Sequence, residues 1–67
     1  MSTHLIENAK GIKDSASGKA LLVEAPEFDE PQWIPHSQIH EDSEVYKPGS
    51  SGDLVVTEWF AEQRGWV

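Results

Sequence analysis

His36 and His40 are four residues apart and are followed at once by Glu41 and Asp42. On a helix this spacing puts both imidazoles on one face, and imidazole with carboxylate is a common zinc ligand set. However, Pro35 precedes the pair, the segment is too short for a stable helix, and the His-Glu-x-x-His motif is missing. We therefore predict no metal and no other cofactor, and keep His36 and His40 as the ligands to test.

Catalysis is not predicted either. Acid–base or nucleophilic chemistry needs paired groups in a cleft that excludes water. The carboxylates of this chain fall in loop-like segments, its serines have turn-like neighbours, and 67 residues leave little volume for a pocket. The run Gly49–Gly52 is no phosphate loop, because Lys-Ser/Thr does not follow it and Asp53 would repel a phosphate.

The acidic residues carry the first functional hypothesis. The net charge is −7: residues 21–67 carry −8, and residues 1–20 carry +1. A strongly negative surface attracts basic protein surfaces and makes binding sensitive to salt. Two acidic clusters are predicted to contact such a partner: Glu27, Asp29, Glu30 in the first and Glu41, Asp42, Glu44 in the second. The alternative is that these carboxylates serve solubility alone.

A second hypothesis is a nucleic-acid-binding accessory barrel. Lys10, Lys13 and Lys19 lie in the one part of the chain with a positive balance. Aromatic side chains such as Trp33, Trp59 and Trp66 stack on bases in domains that bind single strands. The overall charge opposes phosphate binding, and three tryptophans are also explained as core residues in a small domain.

Composition sets the frame for both hypotheses. The chain is expected to form a single domain over residues 1–67, with residues 1–3 frayed. It has no cysteine, so neither disulfides nor thiolate sites can stabilise it, and its core must come from large apolar side chains. No apolar run approaches membrane-spanning length and no signal-peptide pattern is seen, so a cytoplasmic protein is expected.

Short apolar runs separated by turn residues predict a β-rich fold. The strand signal is clearest at residues 19–25, where Leu21 and Val23 share one face. Thr57 is a good N-cap and Gly65 a good C-terminal residue for a closing helix, with Trp66 packing back on Phe60 or Ala61. Further strands are predicted at residues 4–13, 32–34, 42–46 and 53–56, with a single turn capped by Ser37 at residues 37–39.

These elements predict a mostly β (α+β) domain. Four or five short strands suit a small bent antiparallel sheet or barrel, Src-homology-3-like or OB-like, better than a sandwich. The short C-terminal helix would close one end of it.

The segments Trp33–Val45 and Gly52–Gly65 carry a resemblance. They contain Trp-Ile-Pro-His-Ser-Gln-Ile, then Ser-Glu-Val, then a strand and helix with Trp, Ala and Gly. Over roughly residues 19–66 the chain resembles a set of small proteins encoded by bacteriophages and prophages. The resemblance implies a phage or bacterial cytoplasmic setting and assigns no catalytic or binding residue. Together these observations predict a small acidic interaction module, a phage-encoded accessory or inhibitor of a host protein.

Overall fold

The computed structural model describes residues 2–67 as a four-stranded antiparallel sheet curled into a half-barrel, with one short C-terminal helix. The strands are β1 (Thr3–Asp14), β2 (Ala20–Glu24), β3 (Gln32–Pro35) and β4 (Ser51–Thr57), in the spatial order β3-β2-β1-β4. A single 3₁₀ turn, His36–Gln38, follows β3, and helix α1 (Glu58–Gln63) follows β4. The predicted fold class is confirmed.

The expected fraying concerned residues 1–3, of which Met1 lies outside the described residues. Ser2 accepts a hydrogen bond from the backbone N–H of Glu58 at 3.1 Å, and Thr3 pairs with Thr57.

The curl of the sheet comes from β1, which pairs with β4 along one edge and with β2 along the other. Thr3–Ile6 and then Ala9 and Lys10 pair with β4, whereas Lys10–Asp14 pair with β2, so the two pairings overlap only at Lys10. Between Ile6 and Ala9 the register shifts, and Asn8 adopts a left-handed conformation with φ 58°. Asparagine tolerates this conformation better than most residues, and such a bulge bends a strand and increases its twist.

The core is built from aliphatic side chains with one aromatic ring. Alternate residues of the strands point inward, as the period of a strand requires. The buried apolar residues are Ile6, Ala9, Leu21, Val23, Ile34, Val45, Leu54, Val56, Phe60 and Ala61. The interpretation of the tryptophans as core holds only for Trp66, which is half-buried and packs against the core, and it is wrong for Trp33 and Trp59, which are 40% and 59% exposed.

Helix α1 begins and ends as its sequence predicts. The hydroxyl of Thr57 accepts from the backbone N–H of Phe60 at 3.2 Å, which satisfies one of the unpaired donors of the first turn. Gly65 has φ 75°, and the N–H of Trp66 donates to the carbonyl of Ala61 at 2.9 Å. The Trp66 ring meets the Phe60 ring edge to face, with centroids 5.6 Å apart.

Two local predictions were wrong. Residues 42–46 form turns and bends instead of a strand, because a single backbone bond, from the Glu44 N–H to the Asp53 carbonyl, joins them to β4 and the side chains of Ser43 and Glu44 make the other bonds. The 3₁₀ turn begins without a side-chain cap, so Ser37 does not have the capping role predicted for it.

Among residues 2–67, no helix has the length and apolar character needed to cross a membrane.

Candidate interaction surface

The first acidic cluster lies in the loop between β2 and β3, which we call the acidic loop (residues 25–31). Phe28 fixes the middle of this loop. Its N–H donates to the carbonyl of Ala25 at 3.0 Å, and its ring stacks on Trp66 at a centroid distance of 4.8 Å. With Phe28 held inward, the side chains of Glu27, Asp29 and Glu30 are left exposed on the loop.

The far end of the acidic loop is held by Arg64. Its guanidinium donates to Gln32 Oε1 at 3.2 Å and to the carbonyl of Trp33 at 3.1 Å, and it lies 5.0 Å from the centroid of the Phe60 ring. The loop is thus attached through the stack of Phe28 on Trp66, and the start of β3, where the loop ends, is attached through Arg64. Within the described residues, neither an ion pair nor a hydrogen bond engages the carboxylates of Glu27, Asp29 or Glu30.

The second acidic cluster does not form one surface. The Glu44 carboxylate accepts from the backbone N–H of Asp53 at 2.9 Å, so it is part of the fold. Glu41 is exposed, and Asp42 projects into solvent with its side chain 80% exposed. Of the six predicted contacts, five therefore present exposed carboxylates without a backbone partner, and only three of those share a loop.

Ser43 explains why the second cluster is ordered, and sequence reasoning missed it. It is the one buried polar residue of residues 2–67. Its hydroxyl donates to the carbonyl of Val45 at 2.9 Å and accepts from the backbone N–H of Val55 at 3.0 Å. Nearby, the N–H groups of His40 and Glu44 donate to the carbonyls of Val55 and Asp53. Residues 40–44 thereby cover the outer edge of β4.

The two histidines are engaged separately. His36 Nε2 lies 2.8 Å from Asp14 Oδ1, while His40 Nδ1 accepts from the backbone N–H of Asp42 at 3.1 Å. In neutral His40 the proton must then reside on Nε2, so neither ring nitrogen offers a lone pair to a metal. Both rings line an open hollow together with Ile39, Glu41 and Tyr46. Among residues 2–67, no three acidic or histidine side chains are grouped as metal ligands.

The predicted basic residues are divided between the sheet and a turn. Lys13, Leu22 and Trp33 are opposite one another on three neighbouring strands, and facing partners share one face of a sheet. Leu21, Val23 and Ile34, which alternate with this row, are buried, so the row lies on the outer face. Lys10 lies opposite Glu24 on the same strand pair, and Lys19 lies in the turn before β2.

Exposed aromatic side chains accompany the acidic residues. Trp33 is the second residue after the acidic loop and is 40% exposed, whereas Trp59 on α1 and Tyr46 are 59% and 54% exposed. A domain of this size without cysteines needs its large apolar side chains for the core. Large aromatic side chains left at the surface are therefore candidates for contacts with another molecule. Aromatic rings at the surface are typical of protein interfaces and of sites that bind cations. The acidic loop and Trp33, which lie close together in the chain, are therefore taken as the candidate surface.

Comparison with known proteins adds no relative. A scan against protein-family models, a search of curated proteins and a search of solved structures each found no match to this chain. The surface formed by the acidic loop and Trp33 is therefore interpreted from its own geometry and charge.

Proposed function

We propose that this chain is a small protein-interaction module, without catalytic activity, that binds a basic surface of another protein. The acidic loop and Trp33 are the centre of the contact surface, and Glu41 and Asp42 contribute at its periphery. The observation that carries the proposal is the attachment of the acidic loop: Phe28 and Arg64 hold it in place while three carboxylates are left without partners.

A loop that is already ordered favours binding, because no free energy has to be spent on ordering it when the partner associates. Fixing a mobile side chain at an interface costs about 0.5–1.5 kcal/mol, and fixing loops adds to that cost. Here the stack of Phe28 on Trp66 limits the acidic loop before a partner arrives. Exposed Trp33 beside the loop adds an aromatic ring that a Lys or Arg side chain can contact.

The setting follows from the resemblance described above. We propose further that the partner is a bacterial host protein and that the role is accessory or inhibitory in the cytoplasm, as the resemblance to phage and prophage proteins implies. An inhibitor of this kind would occupy a basic site on the host protein, where the net charge of −7 would speed association.

Capture of the partner is the first experiment. We expect the tagged protein to retain a basic protein from nuclease-treated bacterial lysate at low salt and to release it at high salt. Three double variants with equal changes of charge then locate the contact: Glu27→Lys with Glu30→Lys, Glu41→Lys with Asp42→Lys, and Glu58→Lys with Glu62→Lys on α1. The first pair should weaken binding at least about tenfold and flatten its salt dependence, the second less, and the third least.

Two results would contradict the proposal. Equal losses for all three pairs would mean that total charge, and no particular surface, determines binding. Unchanged affinity for all three would remove the acidic surface altogether. Melting temperatures of the variants, measured alongside, separate loss of contact from loss of fold.

A nucleic-acid-binding role is the second candidate, and the row of Lys13, Leu22 and Trp33 favours it. A cation and an exposed ring on one face of a sheet is an arrangement that single strands use. Titration of a labelled single-stranded oligonucleotide at low salt tests it, with Trp33→Ala and Lys13→Glu expected to abolish any binding. No binding at high micromolar protein would exclude this role.

A further inference from the structure

Two strand edges of the sheet are already occupied within residues 2–67. Residues 40–44 bond to the outer edge of β4 through their backbone and the Ser43 hydroxyl. On the outer edge of β3, the Arg64 guanidinium donates a hydrogen bond to the carbonyl of Trp33, and Pro35 has no N–H that could pair with an added strand. Strand edges with unpaired backbone groups attract other chains, and here both edges are blunted.

The N-terminal half of β1 is different. Thr3–Ile6 pair with β4 on one side only, because β2 ends at Glu24, opposite Lys10. Among the described residues, no hydrogen bond reaches the backbone of residues 3–8 from the side that β2 leaves vacant. Leu5 is 50% exposed, and Glu7 and Asn8 are exposed as well. We call this segment, residues 3–8, the open edge.

The acidic loop begins beside the open edge. Where β2 separates from β1, an open hollow is lined by Asn8 and Lys10 on one side and by Glu24 and Pro26 on the other. Ala25 and Pro26 of the acidic loop are thus neighbours of the place where an added strand would meet β1. An extended chain along the open edge would pass close to the residues that already define the proposed surface.

We propose that the open edge binds an extended, basic segment of the partner protein as a fifth strand of the sheet. This inference rests on the proposed function and specifies its mode of binding. Main-chain hydrogen bonds to the open edge supply the pairing, as in other cases of strand addition. Glu7, Glu24 and Glu27 favour Lys or Arg at alternate positions of the added strand, and Leu5 offers an apolar contact.

Charge also argues against a second copy as the occupant. Each copy carries a net charge of −7, so two copies that pair through their open edges would repel each other. A basic segment meets the same edge with attraction in place of repulsion.

A pair of peptides tests the proposal with the full chain. The probe is an eight-residue peptide of alternating Lys and Val with blocked ends, and the control is the same peptide with a methyl group on every backbone nitrogen. N-methylation preserves the charge and removes the N–H donors from both edges of the peptide. We expect the probe to bind in low salt with a dissociation constant below about 1 mM and the control at least about tenfold more weakly.

Nuclear magnetic resonance of the labelled protein locates the binding. The probe should shift the amide signals of residues 3–8 and slow their hydrogen exchange. Glu7→Lys should weaken probe binding several-fold more than Glu62→Lys, which makes the same charge change on α1.

The outcomes separate this inference from the proposed function. Equal binding of both peptides, with shifts confined to residues 25–31, would overturn strand addition and leave the acidic module standing. Absence of binding by either peptide at millimolar concentration would contradict both proposals. Self-association of the chain without peptide, with the same amides shifted, would identify a second copy as the occupant and overturn the basic segment.

Discussion

Ser43 shows how much one small polar side chain contributes to this fold. Three of its hydrogen bonds, to the backbone of Val45 and Val55, replace the ladder that a strand would have supplied beside β4. A buried polar group stabilises the fold only when its hydrogen-bond partners are present. When the group is removed, those partners are left without a hydrogen bond.

Ser43→Ala should therefore lower the free energy of unfolding by about 1–3 kcal/mol, because it leaves the buried N–H of Val45 and the half-buried N–H of Val55 without the acceptor they have now. Chemical denaturation measures the change, and Ser37→Ala is the matched control, since Ser37 is exposed and makes no cap. We expect the control to change stability by less than about 0.5 kcal/mol. A loss in Ser43→Ala no larger than that of the control would mean that water replaces the hydroxyl at no cost.

The position of the Glu44 carboxylate depends on a second single residue, Gly52. Gly52 has φ 131°, a conformation that side chains rarely adopt, and a Cβ there would lie 2.5 Å from Glu44 Oε1. The glycine thus makes room for the carboxylate that accepts from Asp53. For this reason Glu44, which sequence alone assigns to a partner, belongs to the fold.

At the scale of elements, the attachment of the acidic loop beside α1 allows the effect of the loop's order on binding to be measured separately from the effect of its charge. Phe28→Ala removes the ring that stacks on Trp66 and leaves every carboxylate of the loop in place. An aromatic pair contributes about 0.5–1.5 kcal/mol beyond its buried area, so the loop should loosen before the sheet does. Hydrogen exchange at residues 25–31 should accelerate more than exchange in β1 and β4.

Partner binding supplies the second readout of Phe28→Ala. If the order of the loop matters, affinity should fall several-fold at constant net charge, because ordering then has to occur on association. Phe28→Tyr, which keeps the ring, is the control and should bind normally. Unchanged exchange in residues 25–31 would mean that Arg64 alone holds the loop.

Elements were easier to predict from the sequence than their contacts. Local chemistry fixes three of them: strand β2 by the alternation of its apolar residues, the cap at Thr57 by its hydroxyl, and the helix end at Gly65 by backbone conformation. The stack of Phe28 on Trp66 joins residues far apart in the chain, and nothing local signals it. The open edge likewise depends on where β2 ends relative to β1, which is a property of register.

At the scale of the whole molecule, the net charge of −7 on 67 residues determines how stability responds to salt. The only contacts of ion-pair length described within residues 2–67 join carboxylates to histidines, His36 to Asp14 and His40 to Asp42, so most carboxylates have no cationic side chain beside them. Repulsion among these groups destabilises the compact state, and salt screens it over a Debye length of roughly 10 Å at 0.1 M.

The melting temperature should accordingly rise by several degrees between about 10 mM and 0.5 M sodium chloride, since a change of about 1 kcal/mol moves a domain of this size by roughly 4–8 °C. Asp29→Asn with Glu30→Gln reduces the repulsion without removing a described contact of either carboxylate, so this variant should melt higher at low salt and respond less. Sodium sulfate, which also strengthens apolar burial, is not a suitable substitute for the chloride. A melting temperature that falls with added chloride would show that attraction between unlike charges outweighs the repulsion, and the acidic surface would then serve the fold before any partner.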